Sequence, residues 1–452
     1  MRRIHAGILS TVVAALLCAA SMSPLSATTL IVETDMDLNG ISYSNLDYNN
    51  ITSTDAVSFY SQRLRLGVGG KFAPGVEIMA RIQSLGVVGS TSTVLPTSLA
   101  RFRTHPYPNI SAIPFVEHLY FKLTEFDGYP AVLTIGRQPF DVGDGLLSDN
   151  SAGLNALNLK VNYPEKLTAD IFTAKVSEGF YADSDFDVYG LDLSYALDKD
   201  RIILVYVSEQ DSTGTLYERG IPAPTSRIVR NFLKMGLKRS DEFGEYHATY
   251  ARGSGEIKLA DDAGAVGLDS YAWELSGTLR SKYTKLGEAS AGLFISMFSG
   301  EDDSLSTGDK DSEFRPSLAR RYNGLEPYGH GRLFGAAYNS AAIELPEGYS
   351  GINTVGIHFD FSPFYRWTFG VDYFLFSSSE HPLRPLSEAS GFERLLGAKY
   401  SLGAEMDLSV KCQLSKNLSA AFGYFRYTPP LEVFWEFKEP LSKYALDFSA
   451  RF

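Results

Sequence analysis

Apolar and polar residues alternate at every second position in about eighteen segments of this chain, and no other feature restricts its fold as much. Side chains of an extended strand point to opposite faces in turn, so each segment presents one apolar and one polar face. The centres are Ile31 to Tyr43, Val57 to Val68, Val76 to Leu85, Phe115 to Leu123, Ala131 to Phe140, Leu154 to Tyr163, Thr168 to Val176, Val188 to Ala196 and Arg201 to Ser208. The rest are Arg227 to Leu237, Glu245 to Gly253, Ser270 to Lys282, Ala289 to Ser299, Ile352 to Phe361, Arg366 to Phe376, Glu405 to Leu414, Leu418 to Tyr427 and Tyr444 to Phe452. Each is on the scale of the about 9 to 11 residues that a tilted strand needs to cross a bilayer.

After the apolar run Ala6 to Ala20, no segment offers the about 18 consecutive apolar residues of a spanning helix. A closed barrel is the other structure that satisfies every backbone group in lipid. Aromatic residues at 13% and a mean hydropathy of −0.08 agree with walls that alternate between lipid and lumen. A soluble β-sandwich is the alternative, but it leaves the bulky charged residues of the polar faces unexplained.

Connections are alternately tight and long. Gly70 to Gly75, Asp127 to Pro130, Pro164 to Leu167, Leu197 to Asp200, Ser240 to Gly244, Tyr283 to Gly287, Ser362 to Tyr365 and Ser415 to Asn417 are tight. Gly86 to Pro114, Glu209 to Ser226, Gly300 to Gly351 and Ser377 to Arg394 are long. Short periplasmic turns and long external loops are the pattern of an outer-membrane barrel, which places both termini in the periplasm and requires an even strand count. The last segment, YALDFSARF, ends on Phe452 and resembles the closing strand by which such barrels are recognised by their assembly machinery. At the other end, Arg2, Arg3, the apolar run and the small residues Ser21 to Ala27 follow the order of a secretory signal peptide. The expected organisation is a signal at 1–27 and a single all-β barrel at 28–452 in the bacterial outer membrane.

The formal charge of −12 argues against nucleic acid as a partner. Beyond the signal, Cys412 stands alone, so no intrachain disulfide is expected. His118, His247 and His358 lack metal-ligand spacing, and Asp183, Asp185 and Asp187 begin a calcium-loop pattern that Val188 and Ser194 break. No catalytic motif is present, so neither an enzyme nor a cofactor is expected.

If the apolar face meets lipid, the polar face lines a lumen. Its cationic candidates are Arg63, Arg65, Arg81, Lys122, Lys160, Arg230 and Lys234, and its late acidic candidates are Asp360, Asp372, Glu405, Asp407 and Asp447. The expectation is a cationic early wall facing an acidic late wall, with anions or sugars drawn to the former.

Two stretches carry a family resemblance. Leu133 to Ser148, LTIGRQPFDVGDGLLS, resembles the strand-to-loop signature of the alginate-export family of outer-membrane porins, and Tyr322 to Gly335, YNGLEPYGHGRLFG, is similar to that family's long-loop pattern. The resemblance implies a monomeric eighteen-stranded barrel, passive export or uptake, and an arginine-lined constriction. Arg137 matches the GRQ triplet, Asp144 the Gly-Asp pair, and Arg332 follows the Gly-His step. The expected function is a channel for anionic or sugar-like solutes, narrowed by Gly300 to Gly351 with Arg315, Arg320, Arg321, Arg332, Tyr322 and Tyr328. A barrel that only scaffolds other partners is the alternative.

Overall fold

The computed structural model describes residues 29–45, 56–72, 75–88, 114–124, 129–142, 148–163, 166–178, 185–212, 225–259, 264–283, 287–300, 310–315, 331–333, 350–380, 400–430 and 439–452. The signal segment and Asp144, Arg320, Arg321, Tyr322 and Tyr328 lie outside the described residues. Strands β1 (Thr29–Ser44), β2 (Ala56–Phe72), β3 (Val76–Val88), β4 (Phe115–Leu123), β5 (Ala131–Val142), β6 (Ser148–Tyr163), β7 (Leu167–Glu178), β8 (Asp185–Leu197) and β9 (Asp200–Asp211) follow one another round the wall. The ring continues with β10 (Thr225–Ser240), β11 (Gly244–Leu259), β12 (Ala265–Tyr283) and β13 (Gly287–Phe298). A two-residue piece, β14 (Lys310–Asp311), comes next, then β15 (Ser350–Phe364), β16 (Trp367–Glu380), β17 (Tyr400–Ser415), β18 (Leu418–Thr428) and β19 (Leu441–Arg451).

All but β14 pair antiparallel with their neighbours, and β19 pairs with β1, so eighteen strands close one barrel. The seam is sealed at its end by Thr34 N–H to Phe452 O at 2.9 Å and Phe452 N–H to Thr34 O at 2.8 Å. Every segment expected from alternation falls on one of these strands. β14 adds a short parallel pairing to β12 at Gly267 and Leu268, beyond the end of β13.

The alternation sorts the two faces. Met36, Leu64, Leu66, Phe121, Leu157, Ile171, Leu233, Met235, Leu293, Ile357 and Leu446 stand exposed on the outer wall. Each contributes about 1.5–3 kcal/mol once lipid replaces water around it. Tyrosines such as Tyr189, Tyr206, Tyr250 and Tyr271 join them, as in the aromatic girdles of membrane barrels. The inner face carries charged groups together with a buried cluster that includes Phe172, Phe186, Val205, Phe232, Phe298 and Phe376. No described helix is long and apolar enough to cross a membrane.

At the tight end, local chemistry makes the turns. Asp241 stops β10 by accepting the backbone N–H groups of Phe243 at 3.0 Å and Gly244 at 3.1 Å. Those bonds hold its carboxyl below the usual aspartate range, the Phe243 amide being the largest cause.

Candidate pore lining

The inner wall is built from rungs of paired side chains. On the β1 to β4 wall, Arg63 donates to Asp37 through Nε at 2.9 Å and Nη2 at 2.6 Å. Arg65 reaches Glu117 at 3.1 Å and Gln83 at 3.0 Å, and Arg81 binds Glu33. These arginines are therefore neutralised in part by a row of acids on β1, Glu33, Asp35 and Asp37, which their register places beside β2 on the same face. The row is readable in the VETDMDLNG stretch, where odd positions are polar from Glu33 onward.

Glu117 follows from no alternation. The β3–β4 register shifts between Arg81 and Ile82, so His118 pairs with Arg81 while Val116 pairs with Ile82. That bulge leaves Glu117 and His118 both buried, although they are consecutive. Glu117 is fully buried, and Arg65 supplies its compensating charge.

Lys122 sits opposite Glu77 and Thr134 on this inner face, and Lys160 sits opposite Asp170. Arg137 is different. Its register partners are Leu119 and Asn155, and Leu119 is exposed on the outer wall, so alternation alone does not carry Arg137 into the lumen. The preceding Gly136 has φ +117°, and a Cβ there would lie 2.4 Å from Leu119 O. Gln138, the third member of the triplet, is buried and donates to the Ala156 carbonyl at 2.9 Å, so it works on the backbone.

Opposite β1 in the ring of eighteen stands β10, nine strands away in either direction. Here Arg230 binds the fully buried Glu209, lies over Phe232 at 5.1 Å, and donates to the Arg315 carbonyl at 3.2 Å. Lys234 is fully buried on the same strand. Arg315 thus belongs to a loop segment that has turned inward. It pairs with Asp311 and with Glu313 at 2.6 Å, and Phe314 packs on Phe232 and Phe298 with centroids 5.9 and 5.6 Å away.

A second piece of the same loop docks on β17. Glu405, fully buried, accepts the backbone N–H groups of Arg332 and of Leu333, the latter at 2.8 Å. The Arg332 side chain acts electrostatically on Asp407, Lys443 and Asp447. Lys443 lies over the rings of Phe425 at 5.4 Å and Tyr43 at 5.6 Å. The described pieces of the connection from β13 to β15 therefore touch the inner wall at β10 and again at β17.

On β15 and β16, His358 sits between Asp372 at 2.6 Å and Asp360 at 3.1 Å, and Asp372 is the register partner of Asp407. Among the described residues no group of His, Cys, Asp and Glu is arranged to hold a metal ion. The acids Asp360, Asp372, Glu405, Asp407 and Asp447 lie on β15 to β19, and the candidate cations run from Arg63 on β2 to Lys234 on β10. The two sets meet at β1 and β2, where the β1 acids stand beside the β2 arginines.

No protein-family model matches the chain, and no curated protein matches it. Solved structures do match. OccK9 (OpdG) of Pseudomonas aeruginosa aligns with a TM-score of 0.54 at 11% identity, covering 94% of this chain and 98% of its own. OccAB4 of Acinetobacter baumannii gives 0.53 at 12% identity, with 95% and 100% covered. The outer membrane protein opdK of Pseudomonas aeruginosa gives 0.52 at 11% identity, with 93% and 99% covered. The fold is that of a bacterial outer-membrane porin. At such identity the likeness speaks for the barrel alone, and residue-level chemistry rests on this chain's own lumen.

Proposed function

We propose that the chain is a porin of the bacterial outer membrane through which small anionic or sugar-like solutes diffuse. The observation that carries this reading is the doubly docked loop, which narrows a closed ring whose inner wall is ionic. A narrowed ionic passage selects by size and by the charge of its lining. Arg63, Arg65 and Arg81 form the proposed cationic contact strip, with Lys122, Lys160, Arg230, Lys234, Arg315 and Arg332 as further lining candidates. Arg137 and Asp144 enter as the family-signature candidates, and Arg320 and Arg321 as loop candidates.

Polysaccharide export is the finer version of this reading, supported by the GRQ triplet and the Gly-His stretch of the long loop. The proposed partners are outer-membrane lipid, the solutes themselves, and the barrel-assembly machinery at the strand ending on Phe452, with the protein acting as a monomer. Non-transporting scaffold activity is the second reading, favoured by the inward aromatic cluster. Planar-bilayer recordings decide between them. Stepwise conductance with an anion-directed reversal potential is expected, and block by alginate oligomers would support the export version. A folded barrel that neither conducts ions nor lets sugars swell liposomes rejects the channel.

A further inference from the structure

The outer wall of β9 to β11 changes character above its tyrosines. Below, Leu237, Met235 and Leu233 face outward in turn, flanked by Tyr206 on β9 and Tyr250 on β11. Towards the long-loop end, the same outward positions carry Asn231, Val229 and Arg227 on β10, Gln210 on β9, and Glu256 and Lys258 on β11. These six residues, together with Gly255, line a groove with a volume of about 350 Å³. Tyrosines in such a belt mark the depth of the membrane–water interface, so the groove lies at the level of the outer-leaflet headgroups.

Its charges are arranged for an anion. Arg227 and Lys258 are direct register partners on one face, and like charges directly opposite each other on a sheet are destabilising. Glu256 lies 3.9 Å from Lys258. Arg227 has its Nη2 bond to a neutral acceptor, Gln210 Oε1 at 2.9 Å, and no carboxylate is bonded to it among the described residues. Asn231 accepts from the Tyr206 hydroxyl at 3.0 Å, which keeps its amide N–H groups as donors for the groove. A phosphate between the two cations would remove their repulsion and take up the guanidinium as a charge-assisted donor. Leu233 and Met235, exposed directly below the groove, offer an apolar track for the acyl chains of a phosphate-bearing lipid.

We propose that this groove is a binding site for the phosphorylated headgroup of an outer-leaflet glycolipid. The site rests on the outer-membrane placement proposed above, but not on transport. Native mass spectrometry of the full-length barrel in detergent tests it, with three probes: diphosphoryl lipid A, the same lipid A dephosphorylated, and inorganic phosphate. The expected result is retention of diphosphoryl lipid A by the wild type and at least tenfold weaker retention by R227Q/K258Q. Asn231→Leu, an apolar change on a lipid-facing strand, is the second variant and should weaken retention severalfold. Equal retention by the variants, or of the dephosphorylated lipid, overturns the site. Displacement of lipid A by an equal concentration of inorganic phosphate reassigns it to a free anion and also overturns the proposal. Conductance of the same preparations separates the two readings: a conducting barrel that ignores lipid A rejects only the site, and a lipid-binding barrel without conductance rejects only the channel.

Discussion

Replacing Glu405 should release the inner loop from β17. Its carboxylate accepts two backbone N–H groups, from Arg332 and Leu333, in a fully buried setting. A hydrogen bond to a charged group contributes about 1.5–3 kcal/mol, so the two together supply roughly 3–6 kcal/mol before any compensation. Two effects reduce that figure. Lumen water can take the place of a lost acceptor, and Glu405 repels the neighbouring Asp407, so its removal relieves some strain between like charges. A net loss of about 3 kcal/mol is a reasonable balance, which moves the docked-to-undocked ratio roughly a hundredfold. Single-channel recording is the assay. Glu405→Ala should show larger mean conductance and fast flicker as the loop leaves and returns. Glu405→Gln keeps one carbonyl oxygen as acceptor and should fall between, near a tenfold shift. If Glu405→Ala, folded by its mobility on gels, conducts with the same amplitude and noise as the wild type, the docking does not limit the pore and the reasoning fails.

Arg65→Met strands the buried Glu117 and should lower stability by about 3–5 kcal/mol, seen as a lower temperature for loss of the compact band on gels; adding Glu117→Gln should recover most of it. No change in the single variant would mean that Glu117 is compensated by another group. Gly136→Ala drives a methyl towards Leu119 O in a left-handed backbone and should cost about 1–3 kcal/mol in denaturant unfolding, with wild-type stability as the contrary result. Asp241 has a lowered folded pKa, so its turn contributes stability that is present above the ordinary aspartate pKa of about 3.9 and is lost as pH falls through the lower folded value. The Gly244 amide shift should titrate below that ordinary range, and a midpoint at or above it contradicts the turn geometry.

Strand positions were legible because two-residue periodicity and turn chemistry are local properties. Arg63 and Arg65 declared their face by alternating with Leu64 and Leu66, and the β1 acids opposite them obeyed the same rule. Glu117 did not, because a bulge is a property of two strands in register and shifts parity by one residue. Arg137 follows Gly136, whose φ of +117° breaks the regular strand beside the outward Leu119, and such a local backbone irregularity is not carried by alternation. The docking of Arg315 on Arg230 and of Arg332 on Glu405 joins residues 85 and 73 positions apart, and nothing in the loop's own pattern names those partners.

The pairing of β19 with β1 has a kinetic meaning. Every other join in the wall links strands near in sequence, but this one sets Asp35 opposite Arg451, 416 positions later. Closure entropy grows only as the logarithm of the spacing, so this seam costs roughly 2–3 kcal/mol more to close than a hairpin. Hairpins can therefore form one after another while the two ends wait for each other. Until they meet, both margins carry unsatisfied N–H and C=O groups in a medium that offers no water. The slow step of assembly is expected at this seam, and a segment that pairs with β1 in place of β19 would trap the barrel open.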